Sequence, residues 1–316
     1  MATNRRSSSS FGSYADGIVL RGMPILGLYP GDVYWVDSNG GGSSKGTFSS
    51  PVATLAAATA LCTADNGDYV MMKPGHAETI TGAGGITLDK AGVSYIGMGS
   101  YDARPTFLMD GAATVTCLVT AANVSVYNCK FVAGHADITT FSTITGKGCR
   151  FEACHFEDNV SGENFVAVFR AGVADNDFDG LELIDNVLDF GADVAVLAPI
   201  NLLKASRDVR IIGNRINGDF DTSTYAAIYS GDIVALNIEI AHNLIWNAHD
   251  GNACICISLT NIASTGWMHN NYALGHEAAS STPFLAGANA IGQFNNLYVG
   301  DDNASGFVMP AIGADA

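Results

Sequence analysis

The chain has 316 residues and a mass of 32.9 kDa, with 48% hydrophobic residues, only 15% charged residues and 36 glycines. That balance excludes bulk disorder, which needs low hydrophobicity and high charge, and excludes a helical bundle, which is rich in Glu, Lys and Arg. The net charge of −16, from 31 acidic against 15 basic residues, repels phosphate and excludes nucleic acid as a partner of the body of the protein.

The chain opens on a segment unlike the rest. Arg5 and Arg6 precede four serines, with Phe11 and Tyr14 close behind. No apolar run follows the arginines, so the segment does not read as a secretory signal. No run of 18 apolar residues exists anywhere to cross a membrane as a helix. A basic and aromatic tether on an acidic body reads as an arm for attachment to a larger assembly, through Arg5, Arg6, Phe11 and Tyr14. A plain terminal tail is the competing reading. Residues 1–31 match no repeat described below and are assigned to this arm and an extended lead-in.

A helix is predicted over about residues 50–64. Ser50 suits an N-cap, Pro51 a first helical position, and Asn66-Gly67 a stop. Leu55, Ala58, Leu61 and Cys62 share one face. The following DYVMMKPG, from Asp68, reads as the first strand of what comes next.

From there one pattern recurs: apolar, any, apolar, any, any, Asn or Cys, any, apolar. It reads VSVYNCKF from Val124, CRFEACHF from Cys149, LELIDNVL from Leu181, VRIIGNRI from Val209 and IEIAHNLI from Ile238. It continues as TGWMHNNY from Thr265 and IGQFNNLY from Ile291. The sixth position lines up Cys129, Cys154, Asn186, Asn214, Asn243, Asn270 and Asn296. The third runs from Val126 through Trp267 to Gln293, and the eighth from Phe131 through Tyr272 to Tyr298. Alternating apolar residues make strands with one inward face, and equivalent positions one repeat apart must then stack. The reading is an all-β solenoid over residues 32–300, its open end plugged by the helix, with residues 301–316 as a C-terminal tail. Asn tolerates the left-handed backbone of a corner, and its amide can bond to stacked copies above and below. Asn186, Asn214, Asn243, Asn270 and Asn296 are therefore predicted to form a structural ladder. The seven cysteines show no CxxC or zinc spacing and read as small buried hydrophobes.

VDSNGGGSSKGTFSSPVATLAAATA followed by GDYVMMKPGHAETI resembles the opening of the right-handed parallel β-helix superfamily, the pectate-lyase-like fold. The arm together with PGHAETI also resembles structural proteins of tailed phages. The resemblance implies a virion protein assembled in the host cytoplasm, docked on a major capsid protein or another virion protein, and a homotrimer. No membrane partner and no cofactor are expected.

The same fold hosts polysaccharide lyases and hydrolases, each with its own catalytic set. Glycoside hydrolysis needs paired carboxylates, and lyase chemistry needs a base with bound calcium. Asp177 and Asp179 supply carboxylates, but Gly275-His276 precedes Asp301-Asp302, and Arg215-Ile216-Asn217 lacks a lysine. The order does not match the pectin hydrolases. Asp175, Asp177, Asp179, Asp185 and Asp189 are dense enough for a cation or a sugar groove, but each also suits a turn. His242 and His269 share a column without a third metal ligand. Trp246, Trp267 and Tyr272 make a sugar platform if they face outward, and Trp267 is predicted to face the core. The expectation is a non-enzymatic capsid decoration (cement) or spike protein without catalytic or metal sites. The alternatives are a tailspike-like protein that binds or depolymerises host surface polysaccharide, and an adhesin.

Overall fold

The structure is a computed structural model. It describes residues 18–20, 23–25, 31–40, 45–160, 162–191, 198–220, 226–247, 255–275, 284–286, 290–300 and 307–309. Arg5, Arg6, Phe11 and Tyr14 lie outside these residues.

Three sheets of stacked parallel strands form the body. The first runs from Val33–Val36 to Ala290–Phe294, the second from Ala77–Thr81 to Asn296–Gly300, and the third from Ile86–Leu88 to Phe284–Ala286. Each coil visits all three in turn, which is the parallel β-helix that the repeat implies. The strands are three to five residues long, except for a separate two-stranded pair, Ser206–Arg207 and Ala235–Leu236. A strand so short cannot hold its place alone, so the apolar column beneath it must.

That column is continuous. Phe107, Phe131, Phe156, Leu188, Ile216, Ile245, Ala273 and Tyr298 pair in sequence through the second sheet, and all lie in one core. Phe107, Phe131 and Phe156 stack at 5.3 Å between successive centroids, and Phe141 and Phe169 meet this stack edge-on. Tyr272 and Trp267 are not in these columns. Ala273 and Met268 hold the inward places, so the repeat begins at Gly266 rather than Thr265. Gly266 fits there because a Cβ would lie 2.0 Å from the Ile238 carbonyl oxygen.

The same one-residue shift corrects the ladder. It runs Asn186, Asn214, Asn243, Asn271, Asn296, with Asn271 in place of Asn270. Each Nδ2 donates to the next Oδ1, at 2.9–3.0 Å. The same Oδ1 accepts the backbone N–H of the preceding ladder residue, beginning with Cys154. Each Nδ2 also donates to a carbonyl of the first sheet, such as Ile211 for Asn243 and Ile240 for Asn271. The ladder residues are not the left-handed ones. The residue before each takes the positive φ: Ala153, Asp185, Gly213, His242, Asn270 and Asn295. The corner thus divides two tasks between neighbours, reversal of the chain and closure of its hydrogen bonds.

The helix is shorter than predicted, Leu55–Leu61, with Thr54 as its N-cap. Thr54 Oγ1 accepts from Ala57 N, and Glu78 Oε2 accepts from Leu55 N at 2.9 Å. Residues 51 and 52 are unavailable to it because Val52 exchanges backbone hydrogen bonds with Trp35 and Asp37. Leu55, Ala58 and Cys62 join the core, whereas Leu61 is exposed. Val33–Val36, not the strand after Asp68, opens the solenoid, pairing in parallel with Tyr69–Met72. Among the described residues Ile18–Leu20 pairs only with Met23–Ile25, antiparallel. At the far end Phe307–Met309 pairs antiparallel with Asn296–Gly300 and forms the last strand of the second sheet.

Asn271→Leu leaves the amide and backbone N–H of Asn243 without their acceptor, so a loss of about 3 kcal/mol is expected in urea unfolding. Asn270→Gly keeps the left-handed corner and should cost less than about 1 kcal/mol. Equal losses would place the ladder at Asn270.

Candidate functional site

The outward faces of the first and second sheets adjoin along the Asn corner and form two walls. On the first wall, Ser125, Arg150, Glu182, Arg210, Glu239 and Trp267 make one column. Charges alternate along it. Glu182 receives Arg150 Nη1 on Oε2 at 2.9 Å and Arg210 Nη1 on Oε1 at 3.0 Å. Arg210 Nε reaches Glu239 Oε2 at 3.0 Å. Hydrogen bonds from its guanidinium to Glu239 and Glu182 hold Arg210 above its ordinary pKa. Arg150 also bonds Glu152 through Nε at 2.7 Å and lies over the Tyr127 ring.

On the second wall, Lys130 Nζ lies 2.6 Å from Glu157 Oε1, and His155 Nε2 lies 3.5 Å from Glu157 Oε2. Asp158 follows on the same strand in register with Ala133 and points the other way. Its Oδ2 accepts Gly191 N at 3.1 Å. Burial, reinforced by Asp189 and Glu157, pushes Asp158 up to about 6 against hydrogen bonds from Gly191 and Phe165. Burial also holds His155 below its ordinary value, against the pull of Glu157. A carboxyl whose pKa is raised by burial, set beside a second carboxyl group, is the usual composition of an acid–base pair. Here the two do not converge, because adjacent strand residues face opposite sides. This cluster escaped sequence reading: His155 and Glu157 look like ordinary outward positions, and only the pairing with Ala133 shows Asp158 turned in.

The five aspartates singled out from sequence are dispersed over turns and strand. Asp177 Oδ2 accepts from Val173 N and Ala174 N, and Asp175 Oδ1 from Ala205 N. Asp179 accepts from Arg207 N and lies 3.5 Å from Lys147 Nζ. Asp185 has left-handed backbone, and Asp189 accepts from Asn217 Nδ2. The rings of His242 and His269 lie perpendicular at 5.6 Å, with His269 held by Asn270 and Glu239. No group of three His, Cys, Asp or Glu side chains is disposed for a metal among the described residues. His276, Asp301 and Asp302 lie outside them.

The aromatic expectation changes most. Trp267, predicted inward, is 55% exposed on the first wall. Trp246 and Tyr272 are exposed on the second wall, beside Leu244 and Leu274. The last coils therefore present aromatic and aliphatic side chains where the middle coils present ion pairs.

Six cysteines, Cys62, Cys117, Cys129, Cys149, Cys154 and Cys256, are buried and unbridged, and Cys254 lies outside the described residues. Burial pushes Cys117 and Cys154 up to about 12 and Cys149 to about 11, so none of these three is a nucleophile at neutral pH. Among the described residues no helix is long and apolar enough to cross a membrane.

The chain is a parallel β-helix protein. No family model matches it, and no curated protein matches it. Two solved structures are similar in fold. A rhamnogalacturonan lyase shares 15% identity at a TM-score of 0.45, over 78% of this chain and 75% of its own. Pectate lyase Pel9A shares 15% identity at a TM-score of 0.49, over 86% of this chain and 76% of its own.

The Asp158 carboxyl sets a pH dependence with a definite sign. Its folded value lies above its ordinary one, so the folded state holds the proton longer than the unfolded state. Stability should therefore fall as pH rises from about 4 to about 6 and stay lowered above. Asp158→Asn should raise the Tm at pH 8 and leave it nearly unchanged at pH 4, as measured by thermal melting. A separate expectation concerns the thiols: at pH 8 the native chain should expose none of these six to a disulfide reagent, and the urea-unfolded chain all of them. Rapid labelling of the native Cys117 or Cys154 would contradict their burial.

Proposed function

We propose that this chain is a structural component of a phage particle, a non-enzymatic capsid decoration or spike protein held by its N-terminal arm. The observation that carries the reading is the state of the charged side chains on the middle coils. Glu182 is bound by two arginines, Glu157 lies between a lysine and a histidine, and Asp179 anchors a turn. Hydrolysis of a glycosidic bond needs a carboxyl pair converging on it, and these carboxylates are spent on neighbouring coils. The resemblance carried by the arm and PGHAETI supplies the phage assignment, and the homotrimer and the capsid partner come with it.

Recognition or cleavage of host surface polysaccharide is the second reading. It is favoured by the exposed Trp246, Trp267 and Tyr272. The two readings separate by experiment. Antibody against the chain should decorate the particle in electron micrographs, and Arg5→Glu with Arg6→Glu should abolish incorporation without changing the melting temperature by more than a few degrees. Incubation with host capsule or lipopolysaccharide should release no oligosaccharide. Release that is lost in Asp177→Asn or Asp179→Asn would decide for the enzyme.

A further inference from the structure

Trp267 occupies the outward column that carries Arg150, Glu182, Arg210 and Glu239 in earlier coils, and the next place in that column is Gly292. A Cβ on Gly292 would lie 2.4 and 2.5 Å from Cζ3 and Cε3 of Trp267. The indole therefore rests against bare backbone at Gly292, and Trp267 remains 55% exposed. Phe294, two residues beyond Gly292 on the same face, meets the indole edge-on, with centroids 5.9 Å apart at 73°. Phe294 is itself stacked on His269 at 4.6 Å and 3°, and His269 is held by Asn270 and Glu239. The result is a fixed floor with a fixed wall. At its margin stand Glu239 and Arg210, both partly exposed.

We propose that this corner is a carbohydrate subsite, which takes an uncharged pyranose ring of a polysaccharide on the exposed surface of Trp267. The apolar face of a pyranose matches a flat aromatic surface, while its rim hydroxyls need donors and acceptors of the kind Glu239 and Arg210 supply. Charge selects the class of sugar. The chain carries −16, and Glu239 borders the indole, so a uronate chain is repelled. A second protein fits less well. A stable interface takes about 800 Å² from each partner, whereas this corner offers one indole and one phenyl ring beside ion-paired side chains. The inference rests on the polysaccharide reading and is independent of the phage assignment.

The test uses the full chain and defined hexasaccharides: β-1,4-glucan, α-1,4-glucan, β-1,4-N-acetylglucosamine and, as the charged counterpart, α-1,4-galacturonate. Calorimetry should show binding of at least one neutral hexasaccharide and weaker or no binding of the galacturonate. Trp267→Ala should weaken the neutral ligand at least tenfold. Gly292→Ala keeps the indole but drives it off its bed, and should do the same. Tyr101→Ala, at an exposed ring on an early coil, should change nothing, and all three variants should melt within a few degrees of the parent. Neutral binding that survives both Trp267→Ala and Gly292→Ala overturns the subsite but leaves the polysaccharide reading standing. Absence of neutral binding by the parent chain overturns the subsite and removes the aromatic support for that reading. Tighter binding of the galacturonate overturns the charge argument and the proposed sugar class with it.

Discussion

One carboxamide oxygen per coil, shared between a backbone N–H and a side-chain N–H, is the constraint on which the later coils depend. From Asn186 to Asn296 the same pair of bonds recurs, and it fixes where the first sheet ends and the second begins. A strand of three or four residues has too few ladder bonds to resist slipping by one place, and a slip would turn every side chain over. The buried amide prevents that, because moving it by one residue would leave its donors and acceptors unpaired in the core. With register fixed, outward side chains stack in straight columns, and the chemistry of each wall becomes a property of a column rather than of a single loop.

Straight columns bring like positions within one strand spacing of each other, so a repeated charge would repel itself along the rod. The alternation of Arg150, Glu182, Arg210 and Glu239 answers that problem. It uses outward charges to pair neighbouring coils, and the pairing gives way to aromatic side chains at Trp267. The acidic surplus of the sequence is carried elsewhere, in turns where Asp175, Asp177 and Asp179 accept backbone hydrogen bonds.

The solenoid and most of its ladder were legible in sequence because stacking demands the same residue type at the same place in each coil. The register was legible only as far as the apolar pattern was unambiguous. In TGWMHNNY two asparagines adjoin, both Trp267 and Met268 are apolar, and Tyr272 beside Ala273 repeats the ambiguity. The correct frame needs Gly266 against the Ile238 carbonyl, a backbone contact that no side-chain pattern announces. The helix start was misplaced for a similar reason. Pro51 is a good first helical residue, but Val52 was already engaged by the opening strand. The walls were the least legible part. The outward place of Trp267, the ion-pair alternation and the inward turn of Asp158 all follow from partners one coil away.

The antiparallel strand Phe307–Met309 bears on what the molecule does at high concentration. A rod of parallel coils is a template for more of itself, and two copies set end to end would prolong all three sheets at once. Reversal of the final strand of the second sheet offers the next molecule a hydrogen-bonding edge of the opposite sense. A following copy cannot continue that sheet in parallel while also continuing the other two. At the opposite end the helix Leu55–Leu61 sits over the apolar column in place of a preceding coil. The helix and the reversed strand thus both interrupt the stacking of parallel coils in an architecture that otherwise has the logic of a fibre.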